Sequence, residues 1–130
     1  VPWNKIHDVC AAVKRVANEE HKRLGFPGKP FTSPRLTQMY HTGVCIYFTH
    51  GLYHRGVEHA EEKFAEMEKK IRAAIMDAGG SISHHHGVGK LRQQFVNRVT
   101  SPESIEAVKA LKAAVDPENI FGVGNNVFAE

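Results

Sequence analysis

The apolar residues of this chain change period twice, and that change most constrains what it folds into. From about Pro2 to Arg23, Ile6, Val9, Cys10, Val13, Val16 and Ala17 recur at helical steps and predict a helix with one apolar face. Between Arg35 and Tyr53 the step shortens to two. Val44, Ile46 and Phe48 alternate with Cys45, Tyr47 and Thr49, which predicts a strand. One face of that strand is aliphatic; the other carries a thiol, a phenol and a hydroxyl. From Glu58 to Ala78 the helical step returns in Phe64, Met67, Ile71, Ala74, Ile75 and Ala78.

Punctuation residues place the ends. Gly25 and the Pro27-Gly28 pair stop the first helix, and a Pro- and Gly-rich loop runs on to Pro34. Gly79 and Gly80 end the second helix. Ser101 is a cap for a last helix with Pro102 at its first position, and Ile105, Val108, Leu111 and Val115 are expected to face inward. Asp116-Pro117-Glu118-Asn119 reads as a turn before a Gly- and Asn-rich tail. The expected order is helix, strand, helix, short strand, helix. That is an α+β arrangement, a small antiparallel sheet covered by helices. So few strands leave open sheet edges, which implies pairing with residues outside this chain. Val1-Pro2-Trp3 has no initiator Met and no signal peptide follows, so the natural chain is expected to begin upstream.

The 130 residues suffice for one domain or part of a larger one, and a formal charge of +3 suits an anionic small molecule. The charges are mixed in sign along helices, which gives no nucleic-acid stripe. Cys10 and Cys45 make neither a disulfide scaffold nor a zinc finger.

Chemistry concentrates in Gly79-Gly80-Ser81-Ile82-Ser83-His84-His85-His86-Gly87-Val88-Gly89-Lys90. Three side chains that exchange protons near neutral pH lie among glycines that let backbone approach a ligand. An extended segment would turn His84 and His86 one way and His85 the other. General acid/base work, binding of an anionic or flavin-like group, backbone bonding and metal ligation all remain open. A metal would need further ligands, such as Glu61 or Asp77. Gly87-Val88-Gly89-Lys90 is no nucleotide phosphate loop: His84 stands where the first glycine belongs and Leu91 where Ser or Thr belongs. Tyr47 is either a packed, hydrogen-bonded phenol or a base activated by a neighbouring cation such as Arg35 or Arg55. His50, His54 and Arg55 read as surface residues.

Taken together, Val1-Pro2-Trp3, Arg35-Leu36-Thr37-Gln38-Met39-Tyr40, Cys45-Ile46-Tyr47-Phe48, the segment Gly79 to Arg92 and Val115-Asp116-Pro117-Glu118-Asn119-Ile120-Phe121-Gly122 resemble the alkyldihydroxyacetonephosphate synthase family. The triple histidine and the Cys-Ile-Tyr-Phe strand are the specific signals. Serine, histidine and Gly-x-Gly-Lys also occur more widely among FAD-linked oxidases. The resemblance implies the C-terminal portion of a flavoprotein of the vanillyl-alcohol-oxidase fold type. Residues 1–115 would then be the later part of the substrate-covering cap domain. Residues 116–130 would be a tail returning to an FAD domain that lies largely upstream.

The resemblance also implies an activity. The acyl chain of acyl-dihydroxyacetone phosphate is exchanged for a long-chain fatty alcohol, forming the ether bond of ether lipids without net redox change. FAD would act through its N5. Tyr47 would be the acid/base tyrosine, and His84, His85 and His86 the functional histidines. Arg35, Lys90 and Arg92 are candidates for the substrate phosphate on charge alone. The isolated chain is expected to bind no FAD and to show no turnover. By the same resemblance the whole protein is expected in the peroxisome of a eukaryote, and elsewhere in the cytoplasm or at a membrane. Association with a membrane surface and a homodimer are further expectations. The alternatives are an FAD-linked 2-hydroxyacid dehydrogenase and a stand-alone His-rich metal-binding module.

Overall fold

A computed structural model describes residues 1–128; Ala129 and Glu130, the end of the expected tail, lie outside the described residues. The chain divides into two compact units, Val1–Ser81 and the part from Ile82 onward.

In the first unit, helix α1 (Ile6–Arg23) and helix α2 (Ala60–Asp77) bury the stripes that their spacing predicts. Val9, Val13 and Ala17 of α1 are fully shielded, and they cluster with Met67 and Ile71 of α2, together with Leu24 and Phe26. Phe64, Ile75 and Ala78 pack against this cluster at partial burial. Each buried aliphatic side chain contributes about 1.5–3 kcal/mol, so this core holds the two helices together. Arg23 adds a link between them by donating to Glu20 at 2.6 Å and to Glu66 at 2.5 Å. The helix ends are built as the glycines predict. Gly25 takes φ +75° while the Phe26 amide donates to the His21 carbonyl, and Gly79 takes φ +95° while the Gly80 amide donates to that of Ile75.

The sheet has two strands, β1 (Phe31–Met39) and β2 (Val44–Gly51), paired antiparallel. Strand β2 was expected. Strand β1 takes in the last four residues of the expected loop, Phe31 to Pro34, and it accommodates Pro34 because no further strand among the described residues pairs with its outer side. The register shifts between Leu36 and Gln38, which makes Thr37 the extra residue of a bulge. Its hydroxyl donates to the Cys45 carbonyl at 3.3 Å. Phe48 packs against the helical core. Alternation therefore turns Val44, Ile46 and Phe48 toward the helices and Cys45, Tyr47 and Thr49 away from them.

The second unit contains helix α3 (Gly89–Arg92), a 3-10 turn over Gln93–Arg98 and helix α4 (Pro102–Val115). Ser101 caps α4 by accepting from the Ser104 amide at 3.2 Å, as its position predicts. Two expectations need correcting. The histidine segment is not a short strand: residues 81–88 are irregular, with bends at Ile82 and from His84 to His86, and Gly87 and Gly89 take positive φ, which breaks an extended run. Nor does the whole stripe of α4 face inward. Ile105 is buried, but Val108, Leu111 and Val115 are 44%, 64% and 72% exposed. A stripe says only that a surface can pack there, and the described residues of this unit leave these three exposed.

Asp116 fastens the end of α4. It accepts from the amides of Ile120 and Phe121, both at 2.9 Å, and pairs with Lys112. The Lys112 contact first, and then the two amides, lower its pKa from an ordinary 3.8 to about 2. A depressed carboxylate pKa stabilises the fold above its unfolded value and loses that contribution as pH falls through the folded one. The amide NMR shifts of Ile120 and Phe121 should therefore titrate together with a midpoint about pH 2, not 3.8.

Candidate active site

The first unit presents the open face of the hairpin. The register places Arg35 directly opposite Tyr47 and Ser33 opposite Thr49. Opposed residues share a face, with Cβ atoms about 4.5–5.5 Å apart. A guanidinium and a phenol thus stand side by side on the surface turned away from the helices. Tyr47 is half-buried and Arg35 exposed, while the Cys45 thiol beside them is buried. Arg35 was a charge-based candidate, and strand pairing makes it the immediate neighbour of the candidate tyrosine. The arrangement suits an anionic ligand lying against a proton-exchanging hydroxyl.

His50 corrects an expectation. It is half-buried on the helix side of β2, not a surface residue. Its ring stacks on Phe48 at 6.2 Å between centroids, and its Nδ1 lies 3.2 Å from the Thr32 hydroxyl. Burial pushes its pKa below the usual value; Glu68 opposes that and Arg72 adds to it. The signal was long-range, since α2 supplies both charged neighbours.

The second unit presents the histidines. All three are exposed, and their rings meet edge to face in a row. The centroids of His84 and His85 are 4.9 Å apart, and those of His85 and His86 are 4.3 Å apart. Nδ1 of His84 lies 2.6 Å from Nδ1 of His85. That contact is attractive only when one nitrogen carries a proton and the other accepts it. Gly87 takes φ +70° and Gly89 φ +53°, and a Cβ at either would meet open space. The backbone there is curved by glycine and left uncovered. Arg92 donates to the Gly87 carbonyl at 3.2 Å, so it braces the loop. Lys90 is exposed at the start of α3.

The family whose members end in a domain of this kind is described as FAD linked oxidases, C-terminal domain, and it matches residues 1–125. This chain belongs to that family. As such a C-terminal domain, it is 39% identical to the alkyldihydroxyacetonephosphate synthase of Caenorhabditis elegans, over 96% of this chain and 21% of that protein. It is 31% identical to the protein of the same name from Dictyostelium discoideum, over 92% of this chain and 19% of that one. It is 40% identical to glycolate oxidase subunit GlcD of Bacillus subtilis, but over only 52% of this chain and 14% of that one. The chain thus spans about a fifth of the length of the synthases it matches.

The residues described here fit FAD in one respect only. The hairpin face and the glycine loop can each border a ligand, yet Arg35, Gly87 and Gly89 are exposed and neither surface encloses a dinucleotide.

Proposed function

We propose that this domain is the C-terminal portion of a flavin-dependent transferase that exchanges the acyl chain of acyl-dihydroxyacetone phosphate for a long-chain fatty alcohol. One observation carries the reading: 39% identity to a synthase runs along 96% of the chain, whereas glycolate oxidase subunits match at 40% over only 52% of it, or over 81% of it at only 27%. FAD, when bound, supplies N5 chemistry at the substrate carbon. The rest falls to this chain. Tyr47 exchanges a proton with the substrate carbon or with the incoming alcohol, both of which must lose one. His84, His85 and His86 pass protons along a row whose first link is the 2.6 Å contact. Arg35, on the same face as Tyr47, neutralises the phosphate and sets the reacting carbon against the phenol. Lys90 is a second cation for the phosphate. Arg92 serves mainly by holding the Gly87 loop.

In this reading residues 1–115 belong to the substrate-covering domain, and residues 116–130 return to the FAD domain. The exposed face of α4 supports such a docking. No helix among the described residues is long and apolar enough to cross a membrane. Association with a membrane surface, where lipid substrates partition, is part of the proposal. A peroxisomal location in a eukaryote and a homodimer belong to the same proposal.

The test is direct. Full-length protein given acyl-dihydroxyacetone phosphate and hexadecanol should release one fatty acid per ether formed, with no net flavin reduction. Flavin reduction by D-lactate or another 2-hydroxyacid, without exchange, would replace the transferase by an oxidase.

A further inference from the structure

A third segment, Val1 and Pro2, already pairs with the hairpin at its β2 edge. Val1 and Val44 exchange two bonds: the Val44 amide donates to the Val1 carbonyl at 2.8 Å, and the Val1 nitrogen donates to the Val44 carbonyl at 2.9 Å. Pro2 then pairs with Gly43 in an antiparallel bridge. Proline has no amide hydrogen, so it belongs at a position that exchanges no ladder bonds, and alternation from Val1 gives it one. Gly43 meets the strand so closely that a Cβ there would lie 2.4 Å from the Val1 carbonyl oxygen. Val1 also packs against the helical core, on the same side as Phe48. Bonds, bridge and side-chain direction agree on one register along the edge of β2 that β1 leaves open.

We infer that the residues preceding Val1 in the whole protein continue this strand antiparallel along β2 and complete the wall that carries Tyr47. The inference rests on the reading of this chain as part of a longer protein. Matched relatives have about four-fifths of their length outside the region they share with it, which provides the segment. The register names the neighbours. The residue just before Val1 stands opposite Cys45, the next opposite Ile46, and the third opposite Tyr47. Opposed residues share a face, so the first and third preceding residues join Tyr47 and Arg35 on the open face, while the second turns to the helices. Tyr47 becomes central, flanked by Arg35 on one side and by an upstream side chain on the other. That upstream residue is a specificity determinant for whatever lies against the phenol. A second copy of the chain could satisfy the same edge, but it would not place Val1 where the ladder already holds it.

Cross-linking in the full-length protein tests the register. The residue before Val1 and Cys45 form a non-hydrogen-bonded pair, with Cα atoms about 4.5 Å apart, inside the range a disulfide spans. With cysteine at that position, oxidised glutathione should link it to Cys45 within one chain, the glutathione taking up the two electrons. Cysteine one residue further upstream, on the opposite face, should link at least tenfold less. Equal yields, no link at either position, or a link between two chains would overturn the inference. Should the variants fail to fold, hydrogen exchange on unaltered protein decides. The Ile46 and Phe48 amides point outward like that of Val44 and should be protected; exchange at open-edge rates would overturn the strand. Intact mass keeps the two readings apart. A natural protein of 14.5 kDa removes the longer chain itself, whereas a longer protein with open amides removes only the strand.

Discussion

Replacing Tyr47 by Phe in the full-length protein is expected to lower exchange turnover by about 10²–10⁴-fold, the range for loss of a positioned proton-transfer group. The substitution removes one oxygen and leaves the ring. Tyr47 is half-buried on the strand face turned away from the helical core, so removing its hydroxyl leaves the packing of α1 on α2 in place. Bound FAD and thermal stability should stay at the wild-type level. Arg35→Leu should act differently. It leaves the phenol in place and removes the cation across the strand pair, so KM for the phosphate substrate should rise more than kcat falls. Steady-state kinetics with a flavin absorbance check distinguish the two roles. Near-normal turnover for Tyr47→Phe would remove the tyrosine from the chemistry.

The second large effect concerns the imidazole row. Alanine at His84, His85 or His86 should each cost about 10²-fold or more in turnover, because all three rings are exposed and none supports a core. The more telling outcome is non-additivity. Groups that move one proton as a unit lose nearly everything with the first deletion. His85 touches both of its neighbours, at 4.9 and 4.3 Å between ring centroids, so it is the link whose removal breaks the row. Combining His85→Ala with Tyr47→Phe should cost little more than the worse single variant. Costs that multiply in full would mean that the phenol and the imidazoles act in separate steps.

Much of the fold was legible because one-dimensional periodicity records burial. The stripes of α1 and α2, the alternation of β2, the Ser101 cap and the glycine stops each appear as predicted. What escaped was set by partners. Strand β1 contains Thr32, Ser33, Pro34 and Gln38, a composition that reads as loop, and only β2 makes it a strand. The neighbourhood of Arg35 and Tyr47 depends on a register that a bulge at Thr37 shifts, and no local pattern marks that bulge. The α4 stripe was legible as apolar but not as uncovered, because periodicity marks a face without naming what packs on it. The histidine segment misled through its flanks: Gly87 and Gly89 were read as permitting close approach, and they also curl the backbone away from a strand. The candidate site was legible in its residue types and not in its geometry.

The proposed function gives the hydroxyl of Tyr47 and the imidazoles of His84 to His86 roles in one reaction, on a substrate held beside the FAD of an upstream domain. A crystal structure of the full-length protein with FAD and a substrate analogue measures this directly. The account predicts the Tyr47 oxygen and at least one of the three imidazoles within hydrogen-bond reach of the same ligand, beside the isoalloxazine ring. A Tyr47 face open to bulk solvent, with the ligand bound elsewhere, would contradict it.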